Sequence, residues 1–248
     1  SLGLVGSEMC IRDSSYALPS GYKTLASSNL PTATNIDPFN QKKPRDYFES
    51  VTYHGTARRK EIKSLDFKPD LVWIKNRDVN DHHVLFDSVR GEGNYLMTSN
   101  IYGEYYNATT LKSFDTNGFT LGSDSTGGAA NGSNESMIAW CWKAGGQPMA
   151  KNSSTSGAMT ANSVSLNGSL QSSYTPSGSP NIYPEKMSIN TNSGFSIVEY
   201  NGNNASTGTV PHGLSSPPEM VIIRVRSEIQ NWAVLMAGYM GFRLNSTV

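Results

Sequence analysis

The segment Ile101–Asn107 carries three tyrosines among small and polar residues, a composition suited to molecular recognition. Tyrosine presents a wide amphipathic ring and loses little side-chain entropy when it is fixed against a ligand. Such a ring can lie on the apolar face of a sugar while a neighbouring amide binds the hydroxyl groups. The segment therefore predicts a glycan-binding site at Tyr102, Tyr105, Tyr106 and Asn107. The alternative is that these rings only cover one end of a β-sheet.

The residues that could support catalysis or metal binding do not form a recognisable constellation. Cys141 lies between Trp140 and Trp142, and the two-residue period of a strand directs the thiol to one face and both rings to the other. We expect a buried thiol that packs as a small apolar group, since no His–Asn or His–Asp partner can be assigned to it. His82 and His83 are adjacent and would point to opposite faces of a strand. The sequence predicts no catalytic residue, no metal site and no cofactor, and therefore a protein that is not an enzyme.

Two further motifs resemble ligand-binding loops but have simpler interpretations. Asp87 and Arg90 frame an Asp-Ser-Val-Arg-Gly sequence, which could form an anion or sugar clamp. The simpler interpretation, which we favour, is a hydrogen-bonded turn with Gly91 at its corner. The glycine-rich stretch 122–134 lacks the lysine that a phosphate-binding loop requires, and it leads into a strand rather than a helix. We interpret this stretch as a mobile hairpin loop.

Short apolar runs that end at turn residues dominate the chain, and no window shows a sustained helical period. One pair of runs is joined by Asp115-Thr-Asn-Gly118, and Asn-Gly supplies the positive backbone angles that a tight hairpin needs. The predicted strands lie at 48–53, 71–74, 84–86, 112–114, 119–121 and 137–142.

Residues 148–193 differ in composition from the rest, because Ser, Thr, Asn, Gly and Pro dominate there. One strand is predicted within Ser163–Leu166, and the prolines favour an extended polyproline II conformation elsewhere. We interpret the stretch as an irregular connector that is kept ordered by Ile182, Tyr183 and Met187. A floppy linker is the alternative.

Two parts of the chain repeat each other at almost the same spacing. Phe48–Gly55 recurs as Phe195–Gly202, and Pro69–Arg77 recurs as Pro218–Arg226, with substitutions that keep the residue type. Repetition of this kind indicates one structural module that is used again. We expect the core of each copy to contain its continuous apolar strand, 71–74 or 220–223. Trp73→Ala should then cost about 3–5 kcal/mol, as for a buried large aromatic residue.

The charge balance excludes several classes of partner. The 248 residues include 20 Lys and Arg and 20 Asp and Glu, so the chain lacks the basic excess of a surface that binds nucleic acid or an anionic membrane. Its longest apolar stretch, 232–240, is too short to span a bilayer. We therefore predict no nucleic-acid partner and no membrane insertion.

These patterns predict an all-β protein, built from an antiparallel β-sandwich module and followed by an incomplete second copy. The complete module covers 47–147, the connector 148–193 and the partial second repeat 195–248. Residues 1–14 resemble a translated sequencing adapter, and we exclude them from fold reasoning as an artefactual leader. Without that leader, Cys141 is the remaining cysteine, so no internal disulfide is expected.

Four motifs of the first module carry a resemblance to a known family: Pro69–Arg77, Phe86–Gly91, Ser113–Gly122 and Ala139–Gly146. They resemble a domain of unknown function that is repeated in tailed-bacteriophage virion proteins, often labelled tail-fibre or receptor-binding. Val210–Leu214 resembles the opening of the following repeat. Ser20–Pro31 resembles the final strand of a SPRY-like β-sandwich, so 15–46 is interpreted as the C-terminal remnant of an upstream SPRY-like domain with its linker.

The resemblance implies a virion localisation, other virion proteins as partners and a homo-oligomeric assembly. Together with the repeat, it favours a non-catalytic virion surface protein, associated with the tail fibre, that recognises host surface glycan. One alternative is a structural spacer or decoration module that binds only other virion proteins. A second alternative is a polysaccharide-cleaving enzyme.

Overall fold

β-Strands form nearly all of the regular structure, which confirms the predicted all-β fold. The structure is a computed structural model that describes residues 43–124, 129–237 and 241–245. The predicted leader 1–14 and residues 15–42 of the predicted SPRY-like remnant lie outside the described residues. A short 3-10 helix, Pro44–Asp46, directly precedes the first strand. Among the described residues, no helix is long and apolar enough to cross a membrane.

The first module is a sandwich of two antiparallel sheets. In chain order its strands are β1 (Phe48–His54), β2 (Lys60–Ile62), β3 (Leu71–Asn76), β4 (Val84–Asp87), β5 (Asn94–Met97), β6 (Tyr105–Tyr106), β7 (Leu111–Asp115), β8 (Gly118–Leu121) and β9 (Ser136–Trp142). The larger sheet has the order β1-β9-β3-β4-β5-β6, and the smaller sheet has the order β2-β8-β7. All six strands predicted in this region are confirmed. Strands β2, β5 and β6 are too short to show a periodic pattern in the sequence.

The core of the sandwich lies between the two sheets and comes from alternate residues of the strands. Phe86 on β4 and Phe119 on β8 are fully buried there. Cys141 is buried on the core side of β9, whereas Trp140 and Trp142 lie on the outer side, as the sequence predicted.

The prediction that the whole run 71–74 belongs to the core is wrong for one face of the strand. Val72 and Ile74 are fully buried, but Leu71 and Trp73 are only half-buried on the outer face of the six-stranded sheet. The reason is that the smaller sheet covers only one side of the larger one. Trp73 is therefore not a core residue, and the large cost expected for its replacement applies instead to side chains such as Phe86.

Residues 148–193 are not an irregular connector, because they contribute three strands to a second structural layer. The four-stranded sheet has the order β11-β10-β12-β13, with β10 and β12 parallel, and the predicted strand within 163–166 is confirmed as β10. Small polar side chains are buried here because they have hydrogen-bond partners inside the protein. For example, Ser165 Oγ donates to Gly145 O at 2.6 Å. The polar composition of this stretch therefore does not mean that it is exposed. The strands are β10 (Val164–Leu166), β11 (Ser169–Leu170), β12 (Pro184–Asn190) and β13 (Phe195–Tyr200).

Gly145 lies where the sandwich meets the four-stranded sheet. A Cβ at this position would lie 2.3 Å from the carbonyl oxygens of both Ser165 and Ile189. The amide N–H of Gly145 also donates to Ser188 Oγ at 2.9 Å. The two layers thus approach so closely that only a residue without a side chain fits between them.

We expect Gly145→Ala to distort this junction, because backbone atoms on both sides leave no room for a methyl group. The free energy of unfolding should fall by about 1–3 kcal/mol, the usual range for overpacking. Urea unfolding of the two variants measures the effect. Gly202→Ala is the matched control, since an added Cβ at Gly202 meets no atom within 4 Å. Equal stability of the two variants would contradict the close approach.

The last strands repeat the β3–β4 hairpin residue for residue. Val221 pairs with Leu235 in the second copy as Val72 pairs with Phe86 in the first. The strands form an antiparallel sheet of β14 (Met220–Ile223), β15 (Ala233–Met236) and β16 (Phe242–Arg243).

The repeated hairpin is much less buried than the first, so the prediction that 220–223 lies in a core is wrong. Met220 and Ile222 are 54% and 47% exposed. Leu235 is 44% exposed, whereas its equivalent Phe86 is fully buried. The reason is that the described residues contain no second-copy counterpart of β9 or of the β2-β8-β7 sheet.

The ends of the glycine-rich stretch 122–134 are packed against the sandwich. Asp124 Oδ2 accepts the N–H groups of Ala130 and Asn131 at 2.7 and 3.0 Å. Asn131 is fully buried, and its side-chain amide donates to two backbone carbonyls at 2.6 Å. The interpretation as a mobile loop is therefore wrong for the described ends, and residues 125–128 lie outside the described part.

Candidate functional site

The outer face of the six-stranded sheet carries a group of tryptophans. Trp73 on β3 pairs directly with Trp140 on β9, and their ring centroids lie 5.8 Å apart. Trp142 lies two residues further along β9, with the ring of Phe48 at 4.8 Å and the ring of Phe195 at 6.3 Å. An aromatic surface therefore runs across the centre of the sheet.

Polar side chains border the tryptophan rings and make this surface a groove of about 710 Å³, here called the aromatic groove. Two of its residues, Leu244 and Asn245, follow β16, so the segment after the repeated hairpin contributes one side of the groove. The remaining lining residues all belong to the first sandwich: Trp73, Lys75, His83, Thr98, Ser99, Trp140 and Trp142.

The orientation of the Trp73 ring and the charge of His83 are set by their surroundings in the aromatic groove. Trp73 Nε1 donates to Thr98 Oγ1 at 3.0 Å, which fixes the orientation of the indole ring. Burial lowers the pKa of His83 below its usual value, and the charges of Lys75 and His82 lower it further. His83 is therefore neutral at pH 7 and offers one N–H donor and one acceptor. A mainly apolar groove with a few convergent polar groups has the general form of a small-ligand site.

The tyrosines of the predicted glycan site lie on different faces of the sheet edge. Tyr105 and Tyr106 form the edge strand β6, so their side chains point to opposite faces. Tyr105 stacks on Tyr95 with centroids 5.6 Å apart, whereas the ring of Tyr106 lies against Gly93. These two rings and that of Tyr102 are exposed, but Tyr105 and Tyr106 do not share one surface.

The ends of the tyrosine segment make internal contacts. Asn107 Oδ1 accepts the backbone N–H and the hydroxyl of Thr109, both at 2.8 Å. The carbonyl oxygen of Tyr102 accepts a hydrogen bond from Arg224 of the repeated hairpin. Glycan binding by Tyr102, Tyr105, Tyr106 and Asn107 stays a prediction.

The Asp-Ser-Val-Arg-Gly motif forms a structural turn at the end of β4, which confirms the simpler of its two interpretations. Asp87 Oδ1 accepts the N–H groups of Val89 and Arg90 at 3.1 and 2.9 Å, and Oδ2 accepts Arg90 Nε at 2.6 Å. The Arg90 guanidinium also donates to Leu85 O at 3.0 Å and to Glu104 Oε1 at 3.1 Å. The guanidinium is buried and its donors are used inside the protein.

Cys141 is a buried free thiol. Burial raises its pKa far above the usual value, and the nearby Glu49 raises it further. A thiol that stays protonated is a poor nucleophile. Among the described residues, no group of three or more His, Cys, Asp or Glu side chains is placed to hold a metal ion.

A second cleft, of about 450 Å³, lies beside the smaller sheet of the sandwich. Its charged side chains largely neutralise one another. Arg59 Nη1 lies 2.7 Å from Glu61 Oε1, and Lys63 pairs with the same carboxylate. This cleft therefore offers less binding chemistry than the aromatic groove.

A family model described as "Domain of unknown function (DUF7483)" matches residues 43–181 and again residues 172–247. The chain belongs to the DUF7483 family. The first DUF7483 match continues past residue 147, the predicted end of the first module, and includes β10 and β11. The second match contains β12, β13 and the repeated hairpin. No curated protein and no solved structure matches the chain.

The aromatic groove of this DUF7483 protein could be anticipated only in part from the sequence. The alternation in Trp140-Cys141-Trp142 indicates that the two rings share a face. Trp73 joins them because β3 pairs with β9, a contact between strands that are distant in sequence. No local pattern shows that pairing, so the sequence assigned Trp73 to the core.

Proposed function

We propose that this chain is a non-catalytic surface module of a tailed-phage virion, associated with the tail fibre, which binds host surface glycan through the aromatic groove. The observation that supports this proposal best is the position of Trp73, Trp140 and Trp142 on one sheet face beside neutral His83. The virion context rests on the resemblance of the sequence motifs to tailed-phage proteins.

The chemistry of the aromatic groove suits a saccharide. An indole ring offers a large flat apolar face, against which the C–H face of a sugar ring can pack. Lys75, Thr98 and Ser99 provide hydrogen-bonding groups for the hydroxyls at the rim of such a ring. One groove gives weak binding, and several copies in a homo-oligomer add their affinities through effective concentration.

The lining of the groove favours binding over cleavage. Glycoside hydrolysis generally uses two carboxyl groups about 5–10 Å apart. None of the described residues that line the aromatic groove is Asp or Glu.

The test is a glycan array of host envelope polysaccharides, followed by titration of any bound saccharide against tryptophan variants. We expect Trp73→Leu and Trp142→Leu each to weaken binding about tenfold, because leucine keeps apolar bulk but lacks the flat ring face. Tyr105→Leu is the control, since Tyr105 lies at the sheet edge on the face away from the groove. Circular dichroism and thermal unfolding check that each variant is folded.

Two results would overturn this assignment. If the wild-type protein binds no host polysaccharide, the glycan proposal fails. If Tyr105→Leu or Tyr106→Leu abolishes binding while both tryptophan variants bind normally, the ligand site lies at the sheet edge instead of in the aromatic groove.

A second candidate is a structural spacer that binds only other virion proteins. The contacts between the first sandwich and the repeated hairpin favour it, because Glu104 Oε1 lies 3.1 Å from Arg90 and Glu104 Oε2 lies 2.7 Å from Arg226. Such a joint holds successive modules in a fixed arrangement. The spacer predicts no glycan binding and no effect of the tryptophan variants on attachment to host cells.

A further inference from the structure

Strand β9 is an interior strand of the six-stranded sheet, and it has partners on both sides. It pairs with β1 along one edge and with β3 along the other. Gly55 N donates to Glu135 O and Lys143 N donates to Tyr47 O, both at 2.8 Å. Because backbone direction alternates along a strand, Val51 and the other odd-numbered residues of β1 direct their N–H and C=O groups toward β9.

The repeated hairpin has an open edge where its copy of β9 would lie. Glu219 O accepts Ala237 N at 2.9 Å, so Val221 and Ile223 direct their backbone groups toward β15. Met220 and Ile222 then direct theirs toward the other edge of β14. Among the described residues, no strand pairs with that edge.

Strand β13, the counterpart of β1, is open on the corresponding side. Met187 N donates to Ser163 O at 3.0 Å, so alternate residues of β12 face β10 and the others face β13. The register between β12 and β13 leaves Ser196 and Val198 with backbone groups directed away from β12. Val198 is the repeat equivalent of Val51, whose backbone groups bind β9 in the first copy. No strand within the described ranges pairs with this second edge either.

The side chains around the open edge of β14 are apolar and exposed. Met220, Ile222, Leu235, Met236 and Phe242 are between 44% and 54% exposed. Exposed strand edges with apolar neighbours are sites at which another strand readily adds.

We infer that the open edge of β14 accepts a β-strand from a partner protein. The residue pattern of that strand matches the pattern of Ser136–Trp142. In that pattern Met, Ala and Cys alternate with Ile and Trp. The interface is already formed once in this chain, by β9 against β3 and β1. The second copy repeats both edges, and no described strand pairs with either of them. In strand addition, main-chain hydrogen bonds give affinity and the alternate side chains give specificity.

The experiment uses the full chain, isotope-labelled, with a peptide of the sequence of residues 134–146 that carries added C-terminal lysines for solubility. Amide hydrogen exchange measured by NMR should show at least tenfold slower exchange at Met220 and Ile222 when the peptide is bound. A peptide of scrambled sequence and the same composition is the control. Equal protection by both peptides, or no protection at saturating peptide, overturns the inference.

One peptide variant and one protein variant test whether the peptide pairs with the open edge of β14. A peptide methylated at the backbone nitrogen of Trp140 should bind at least tenfold more weakly, because in β9 that residue pairs with Trp73, the equivalent of Ile222. Ile222→Pro should weaken binding to the same extent, since its N–H faces the open edge and is not needed for the β14–β15 pairing. The methylated peptide keeps the test valid if the proline variant misfolds. Protection of the same amides by self-association of the protein alone would identify a second copy as the occupant and overturn the inference.

Discussion

Replacing Ile74 with alanine is expected to lower the free energy of unfolding by about 2–5 kcal/mol. Ile74 is fully buried between the two sheets of the sandwich, in the same cluster as Phe86 and Phe119. The interior is close-packed, so its neighbours cannot fully fill the space that the substitution opens. Urea unfolding followed by tryptophan fluorescence gives the midpoint and the slope from which this loss is calculated.

Ile223→Ala is an internal control for Ile74→Ala. It removes the same atoms at the repeat-equivalent position, which has the same register with its partner strand. Ile223 is only half-buried, so the expected loss is below about 1 kcal/mol. Losses of equal size at the two positions would show that the second hairpin is packed as tightly as the first, contrary to the structure.

The second large effect is expected at Asp70, the buried carboxylate that fixes the end of β9. Its Oδ1 accepts the hydroxyl of Ser88 at 2.7 Å, and its Oδ2 accepts the N–H groups of Ala144 and Gly146 at 2.8 and 3.2 Å. Burial raises the pKa of Asp70 above its usual value, although these donors favour the charged form. Asp70→Ala leaves the donors without an acceptor and should cost about 3–5 kcal/mol.

The matched control for Asp70 comes from the second repeat. Glu219 is the equivalent acidic residue and is exposed, so Glu219→Ala should change the stability by no more than about 0.5 kcal/mol. Asp70→Asn keeps one acceptor oxygen and should fall between the two. A stable Asp70→Ala protein would mean that its donors find water in place of the carboxylate.

The fold was predictable from the sequence where local patterns decide it. The strand at 48–53 could be recognised because apolar residues alternate loosely there, and the strand at 137–142 because a continuous apolar run ends at turn residues. The hairpin at 112–121 was predictable because the turn-forming residues 115–118 separate two apolar runs. Its turn differs from the expected one, because Asp115 pairs with Gly118 and Asn117 does not adopt a positive φ.

The burial of the elements was less predictable, because it depends on strands that are distant in sequence. Leu71–Ile74 reads as uniformly apolar, yet only Val72 and Ile74 meet the second sheet. The serines in or next to β10 and β12 have a polarity typical of exposed residues, yet Ser163, Ser165 and Ser188 are buried with hydrogen-bond partners.

The candidate site followed the same rule. The sequence predicted a site in the tyrosine segment because its rings are close together in the chain, but adjacent residues of β6 point to opposite faces. The tryptophans of the aromatic groove come from two strands that pair only in the folded protein. Sequence composition predicted recognition by aromatic residues, and the tertiary structure decides which rings lie together.

The carboxylate of Glu104 contacts both Arg90 of the first sandwich and Arg226 of the repeated hairpin, and Arg226 also pairs with Glu199. The hairpin cannot swing away without separating these charges, whereas domains on a flexible linker tumble independently. A tandem array of such units would therefore behave as a stiff shaft. A torque or tension applied at one end of such an array would be transmitted to the other end, because the contacts between successive units would not bend.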